Sequence, residues 1–316
     1  MHLREDEFRS LFSMADFLAS CDRAFQLYGR GEVVNPPRQE TVQQAYFRLE
    51  MPAEWPGRYR ATKVIEEHSH IDRGQLGQRR AFIRLEDLER GAEVELEADY
   101  ITDMRTGAAG ALGLKYLGGP SIARLGILGT GRVAGALARA ADVLFDLEEM
   151  RVTSRRAENR EHFAREVGAE LGTPLLLVET KEQCIGGLEA LALAVPTPAP
   201  ILGLHELSDG AVLAVMGGDG RTRQLAPEVL EAVGLVVDAP EQAAKSGEFS
   251  YAQKAGRSAH ITYARDGAGE VLDIGDAACG RLQDARPAPR IAYFTGLAVQ
   301  DLCAAIMVYE RVVLGL

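Results

Sequence analysis

Residues 124–134 read Arg-Leu-Gly-Ile-Leu-Gly-Thr-Gly-Arg-Val-Ala, and an Ala/Leu-rich segment follows to Leu147. Strand, glycine turn and helix in that order suit a pyrophosphate. Gly129 permits the turn, Gly131 lets backbone approach the ligand, and Ala134 lets helix and strand pack closely. The helix N-terminus adds N–H groups and the positive end of a dipole. Thr130, Arg132 and Val133 complete the set expected to contact a dinucleotide. The following strand, expected near 150–154, runs into Ser154-Arg155-Arg156. NAD-preferring folds place an acid there for the ribose 2′-hydroxyl. A hydroxyl beside two guanidiniums suits a 2′-phosphate instead, so NADP(H) is expected ahead of NAD(H). The plainer alternative is two arginines solvated at a helix start.

Four other positions have side chains able to do chemistry. Arg105, in Thr102-Asp-Met-Arg-Thr-Gly-Ala-Ala-Gly110, is expected at a helix start, where a guanidinium opposes the dipole and an anion would offset the penalty. Lys63 lies in the strand-like run Tyr59–Ile65; facing inward it needs a partner, facing outward it does not. Asp219 follows Leu213-Ala-Val-Met-Gly-Gly218, at the carboxyl end of an expected parallel strand, the edge where open α/β sheets bind ligands. An Asp that merely forms the Gly-Gly-Asp-Gly turn is as simple a reading. His68 and His70 form an HxH pair without an obvious third ligand, so no metal site is expected.

The elements that must position these residues fall into two patterns. A helix from Ser13 or Asp16 to about Leu27 precedes a Pro-containing loop over 33–40. Strand-like alternation follows at 42–50, 59–66, 80–86 and 92–101, suggesting a curved, mostly antiparallel sheet. A helix from about Thr102 or Arg105 ends at Gly118-Gly119-Pro120, which reads as a hinge. Beyond it strands near 124–128, 150–154, 174–178, 190–195, 211–215 and 234–238 alternate with helices near 131–147, 157–170, 180–187 and 226–233, the pattern of a doubly wound sheet. The apolar helical segment 296–314 is expected to return to the first domain. The expected fold class is thus α/β, a Rossmann-type doubly wound sheet inserted into an α+β domain. The dinucleotide domain spans 119–294, and 1–118 plus 295–316 form the substrate-binding and dimerisation domain.

Composition narrows the functional classes. At 316 residues, two domains are the natural expectation. A net charge of −11 argues against a nucleic-acid surface. Cys21, Cys184, Cys279 and Cys303 lie far apart with no CxxC pair, which points to a reduced cytoplasmic protein without structural zinc. The charged N-terminus lacks an apolar signal core, and no apolar run approaches a membrane span.

Taken together, the motifs resemble the ornithine cyclodeaminase/mu-crystallin family along nearly the whole chain. Phe47-Arg48-Leu-Glu-Met51-Pro52-Ala53 is similar to the family's carboxylate-binding arginine segment. Ala61-Thr-Lys63-Val resembles its active-site lysine strand, and Arg105-Thr106-Gly107-Ala108-Ala109-Gly110 its Arg-Thr-Gly/Ala-Ala segment. Gly129–Ala134 resembles its dinucleotide turn, Gly217-Gly218-Asp219 its catalytic aspartate loop, and Thr295-Gly296-Leu-Ala-Val-Gln300-Asp301 its returning helix. Three departures stand out: Arg223-Gln224-Leu225 has no glutamate where the family often has Gln-Glu-Leu, Phe294 replaces a small hydroxyl residue, and the segment Asp72 to Leu96 is unusually charged and only loosely similar to the family's dimerisation strands.

The resemblance implies an NAD(P)-dependent oxidoreductase acting on an amino acid or its imine or 2-oxo acid. Arg48 and Arg105 would grip a substrate carboxylate, Lys63 would stabilise charge, and Asp219 would move a proton. Arg105 and Thr106, Gly129–Ala134, Ser154–Arg156, Val195 and Pro196 would hold the cofactor. The partners implied are a small carboxylate-bearing substrate and a second copy of the chain. Two alternatives remain open from the residues: a cyclodeaminase-like lyase that recycles NAD, and a non-catalytic binder of NADP(H) and a small ligand.

Overall fold

The computed structural model of the chain describes residues 1–43, 46–68, 79–218 and 220–316. They form two compact units, one built from Met1–Arg105 and Leu297–Leu316, the other from Thr106–Gly296. The second unit is therefore inserted, along the chain, into the first. The sequence places the boundary at Gly118-Gly119-Pro120, but the units divide within the helix Asp99–Gly118. Packing explains the difference. A Cβ added at Gly107 would lie 2.3 Å from the Ala136 backbone, and one at Gly113 would lie 2.7 Å from the Phe294 ring, so this half of the helix is seated on second-unit residues. Gly118 ends the helix without ending the unit.

In the first unit six strands pair in the order β1-β6-β5-β4-β3-β2. They are β1 (His2–Leu3), β2 (Gln39–Gln43), β3 (Tyr46–Trp55), β4 (Tyr59–His68), β5 (Arg79–Asp87) and β6 (Ala92–Glu97). All neighbours are antiparallel except β1 and β6. One cross-strand row is Met51–Lys63–Ile83–Leu96, buried throughout. A row of opposite parity, three residues along, is Arg48–Glu66–Arg80. Side chains alternate between faces along a strand, so these two rows lie on opposite faces. The buried face packs against the helix Ala298–Tyr309, which in turn packs on the helix Met14–Gly29. Ser13 caps Met14–Gly29, accepting the Asp16 N–H while the Asp16 carboxylate takes the Ser13 N–H.

Three expectations shift here. The strand expected at 42–50 is two strands, β2 and β3, paired antiparallel. The strand expected to reach 101 stops at Glu97, because the helix begins at Asp99. That start puts Arg105 in the second helical turn and removes the dipole argument for an anion beside it.

The second unit holds seven parallel strands in the order β12-β13-β11-β10-β7-β8-β9. They are β7 (Arg124–Leu128), β8 (Glu149–Thr153), β9 (Leu175–Leu177), β10 (Ala190–Leu193), β11 (Val212–Met216), β12 (Gly234–Val237) and β13 (Pro289–Phe294). Their central members β10 and β11 are apolar without alternation, as strands buried on both faces must be. The order reverses at β7, which sits between β8 and β10; doubly wound sheets bind ligands at such a switch point. The Rossmann-type α/β class is as expected. Strand β13 and the helices Pro240–Ala243, Gly247–Lys254 and Ile274–Ala278 were not foreseen. Among the described residues no helix is long and apolar enough to cross a membrane.

Candidate active site

In the first unit, Lys63 faces the buried side of the sheet and finds its partner on the last helix. Its Nζ lies 2.7 Å from Asp301 Oδ2, and each residue is 1% exposed. The contact is short but off the line of an aligned hydrogen bond, since Oδ2 accepts none by angle; charge holds it. The other carboxylate oxygen, Oδ1, accepts Arg105 Nε at 3.1 Å. Arg105 Nη1 reaches Gln300 Oε1 at 3.4 Å, and Gln300 Nε2 donates to Cys21 Sγ at 3.3 Å.

The sequence around residue 300 explains this placement. Gln300 Oε1 accepts the Leu297 N–H at 2.9 Å, and Asn35 Oδ1 takes the Val299 N–H at 2.9 Å, which fixes the first turn of Ala298–Tyr309. Asp301 then falls at the start of the helix, where the dipole favours a carboxylate.

Two cations share one carboxylate in this buried cluster. Lys63 is brought down to about 8 by its burial, then by the Arg105 charge, with Asp301 pulling it back up. The Cys21 thiol is pushed up to about 12, chiefly by burial, and stays neutral. A buried positive charge left uncompensated is costly, so the cluster suits an anion.

Arg48 is not part of it. It lies on the opposite sheet face from Lys63 and is ion-paired to Glu66 and, at 2.7 Å, to Glu50. This corrects the expectation that Arg48 and Arg105 grip one carboxylate. The residue missed by that reading is Asp301, and a signal for it existed: it is the one charged residue in Ala298–Tyr309.

In the second unit, Gly129 has φ +123°, and a Cβ there would stand 2.6 Å from the Ala194 carbonyl oxygen. Gly131 ends the turn, exposed, with open space where a Cβ would project. The helix Arg132–Leu144 starts directly after it, and its N-cap, Gly131, has no side chain to cap the first turn. Ala134 is buried against the sheet side. Thr130, Arg132 and Val133 line the partly exposed turn. These features fit a dinucleotide pyrophosphate, which needs close backbone approach and helix N–H groups. Gly129→Ala is expected to weaken NADPH and NADH binding at least about tenfold, a loss of about 1.4 kcal/mol, because the backbone must leave a conformation alanine avoids. Fluorescence titration checks this; wild-type affinity would remove the turn from the site.

Ser154, Arg155 and Arg156 follow the end of β8, with both arginines exposed. Ser154 Oγ contacts the Arg156 carbonyl oxygen at 3.3 Å. Val195 and Pro196 follow β10; the Val195 N–H donates to Gln224 Oε1 at 2.9 Å. Gln224 Nε2 donates to the Met216 carbonyl oxygen at 2.8 Å, so one buried amide ties together the ends of β10 and β11. A carboxylate could not make both bonds, since it only accepts.

Asp238, fully buried, accepts the Thr295 N–H (2.6 Å), the Gly296 N–H (2.5 Å), the Thr295 hydroxyl (2.8 Å) and the Ala239 N–H (2.9 Å). It fixes the segment that leads from β13 toward the last helix. Thr106 is half-buried in the second unit. Asp219 and His70 lie outside the described residues, and His68 packs its ring on Tyr46. Among the described residues no three His, Cys, Asp or Glu side chains gather as a metal site.

A sequence model of the ornithine cyclodeaminase/mu-crystallin family matches residues 1–315. The chain belongs to this family. It is 29% identical over 322 residues to an alanine dehydrogenase of Archaeoglobus fulgidus, covering 98% of this chain and 94% of that one. Its fold matches that of an archaeal alanine dehydrogenase dimer with bound NAD (TM-score 0.85, 25% identity, 100% and 96% of the two chains). It also matches a Δ1-pyrroline-2-carboxylate reductase of Thermococcus litoralis in complex with NADH and L-proline (TM-score 0.85, 25% identity, 100% and 98%). The family relationship accounts for the ordered motifs.

Proposed function

We propose that this family member is an NAD(P)-dependent oxidoreductase that transfers a hydride to or from the α-carbon of an amino acid or its imine, with Lys63 and Arg105 gripping the substrate carboxylate. The observation that carries the reading is the buried Lys63–Asp301–Arg105 cluster, in which one positive charge is left over for an anion. The oxidoreductase class rests on relatives that are dehydrogenases and reductases over nearly the full chain.

When bound, the nicotinamide supplies or accepts the hydride. The protein's own work is to hold the substrate by its carboxylate, worth up to about 7–11 kcal/mol in principle through orientation. Arg105 supplies a planar fork and Lys63 a compact charge that counters negative charge developing on the bound molecule. Asp219 moves a proton to or from nitrogen. Gly129–Ala134, Thr106, Val195 and Pro196 hold the dinucleotide.

Ser154, Arg155 and Arg156 favour NADP(H) over NAD(H), since no acid stands at the end of β8. Ser154→Asp with Arg155→Ala is expected to shift the ratio of kcat/KM for NADPH over NADH at least about tenfold toward NADH. An unchanged ratio would refute the assignment. The protein forms a homodimer, as the archaeal alanine dehydrogenase does, and works in the cytoplasm with its four free thiols reduced. Light scattering in solution checks the dimer.

The test of function is a scan of NADPH and NADH with ammonia and a panel of 2-oxo acids, pyruvate included, and cyclic imino acids such as Δ1-pyrroline-2-carboxylate. Net oxidation of the cofactor is expected. Ammonia release from a diamino acid with no net cofactor change would instead establish a lyase. Tight cofactor binding without turnover on any substrate would establish a binding protein. Gln224 weighs against the lyase, because its buried amide is tied to two backbone groups and brings no negative charge for a substrate amine.

A further inference from the structure

We infer that Asp301 is the positioning residue of this site: one carboxylate that holds the Lys63 ammonium at one oxygen and the Arg105 guanidinium at the other, and so sets both the spacing and the charge of the gripping pair. The inference rests on the carboxylate-binding role proposed above for Lys63 and Arg105.

The geometry is that of a bridge. Lys63 comes from the middle of β4, Arg105 from the second turn of Asp99–Gly118, and Asp301 from the first turn of Ala298–Tyr309. Asp301 Oδ2 is 2.7 Å from the lysine nitrogen, and Oδ1 is 3.1 Å from the arginine Nε. Gln300 steadies the arrangement by taking both the Leu297 N–H and Arg105 Nη1 on one oxygen. The helix that delivers Asp301 is otherwise uncharged, so its single acid has no role on a solvent face.

The charges around Lys63 decide what Asp301 must do. Arg105 and, from β5, Arg79 both repel a proton on Lys63. From the helix Met14–Gly29 comes Cys21, whose thiol stays neutral, and Gln300 carries no charge. Among these groups Asp301 is the anion. Burial already favours neutral lysine. Remove Asp301 and two cations face each other in a dry place, so the ammonium gives up its proton and the two side chains move apart. A neutral amine still donates hydrogen bonds, but it no longer matches a carboxylate in charge. Asp301 therefore acts through Lys63 and Arg105 and needs no contact with the substrate.

The test reads Lys63 directly. The chain's lysines are Lys63, Lys115, Lys181, Lys245 and Lys254, few enough for isotope-labelled lysine to give resolved Cε resonances. Lys63 is assigned by the signal missing from Lys63→Arg. In wild type it is expected to titrate at about 8. In Asp301→Asn it is expected to titrate at least about one pH unit lower, the size of losing a close opposite charge. In Asp301→Glu, which keeps the charge on a longer stem, the titration falls between the two. With NADPH present, pyruvate is expected to shift the wild-type signal, and the affinity so measured falls at least about tenfold in Asp301→Asn. An unaltered Lys63 titration in Asp301→Asn overturns the inference. Should that variant not fold, Asp301→Glu decides: wild-type titration together with wild-type pyruvate response overturns it, and a displaced titration supports it. A wild-type signal that ignores both pyruvate and Δ1-pyrroline-2-carboxylate strikes the carboxylate-gripping role alone, because the titration shift needs no substrate.

Discussion

Lys63→Met is expected to lower kcat/KM by about 10²–10³-fold, the loss seen when a preorganised charge-stabilising donor is removed, and to leave the protein folded. Methionine fills similar volume in the row Met51–Lys63–Ile83–Leu96, and Arg105 remains to neutralise Asp301. Removing one partner of a buried pair is costly when it strands a charge, and here Asp301 keeps Arg105 as its counter-ion. The signature is thus a catalytic defect without a melting defect, and with cofactor affinity intact. In the wild-type protein, binding of the carboxylate substrate is expected to weaken as pH rises above about 8, because Lys63 then loses its charge. The methionine variant has no such alkaline limb. Retained activity in Lys63→Met, or the same limb in both proteins, would remove Lys63 from the mechanism.

Asp238→Ala is expected to produce the largest loss of stability in the second unit. Four donors converge on its carboxylate, and the residue is fully buried. Each donor stranded without a partner costs about 1–3 kcal/mol, and water entering the space left by the side chain recovers part of it. A net loss of about 3 kcal/mol or more is expected, seen as a fall in the urea midpoint. Gly296, whose φ is +92°, loses the acceptor that fixes it in that conformation. A change below about 1 kcal/mol would mean that Gln242, which donates to both the Thr295 hydroxyl and the Gly296 carbonyl oxygen, holds the segment by itself.

The glycine turn was legible in the sequence because its geometry admits few residue types. No side chain fits at Gly129, where the backbone is left-handed and a carbonyl blocks the Cβ, so the requirement is written in the residue itself. Arg48 was misread because parity is not local. Taking 42–50 as one strand hid the β2–β3 pairing, and the face on which a side chain falls depends on register. Lys63 could be read as inward or outward with equal ease, until the acid from the far end of the chain decided it. Strand β13 was hidden by its flanks: Arg286-Pro-Ala-Pro-Arg290 reads as loop, although Ile291–Phe294 are buried in the sheet. Arg105 illustrates the same limit from another side. Its helix starts three to six residues before the Thr102 or Arg105 that the spacing suggested, and the anion beside the guanidinium is the chain's own Asp301.

The bridge from Asp301 has a consequence for how the protein is made. Translation delivers Lys63 and Arg105 early and their shared counter-ion late, after the entire inserted unit has been synthesised. A polypeptide still on the ribosome can close the glycine turn and its sheet, yet the first unit waits with two unmatched cations until the segment from Leu297 emerges. Nascent or prematurely terminated chains are therefore expected to capture nucleotide before they can grip a substrate.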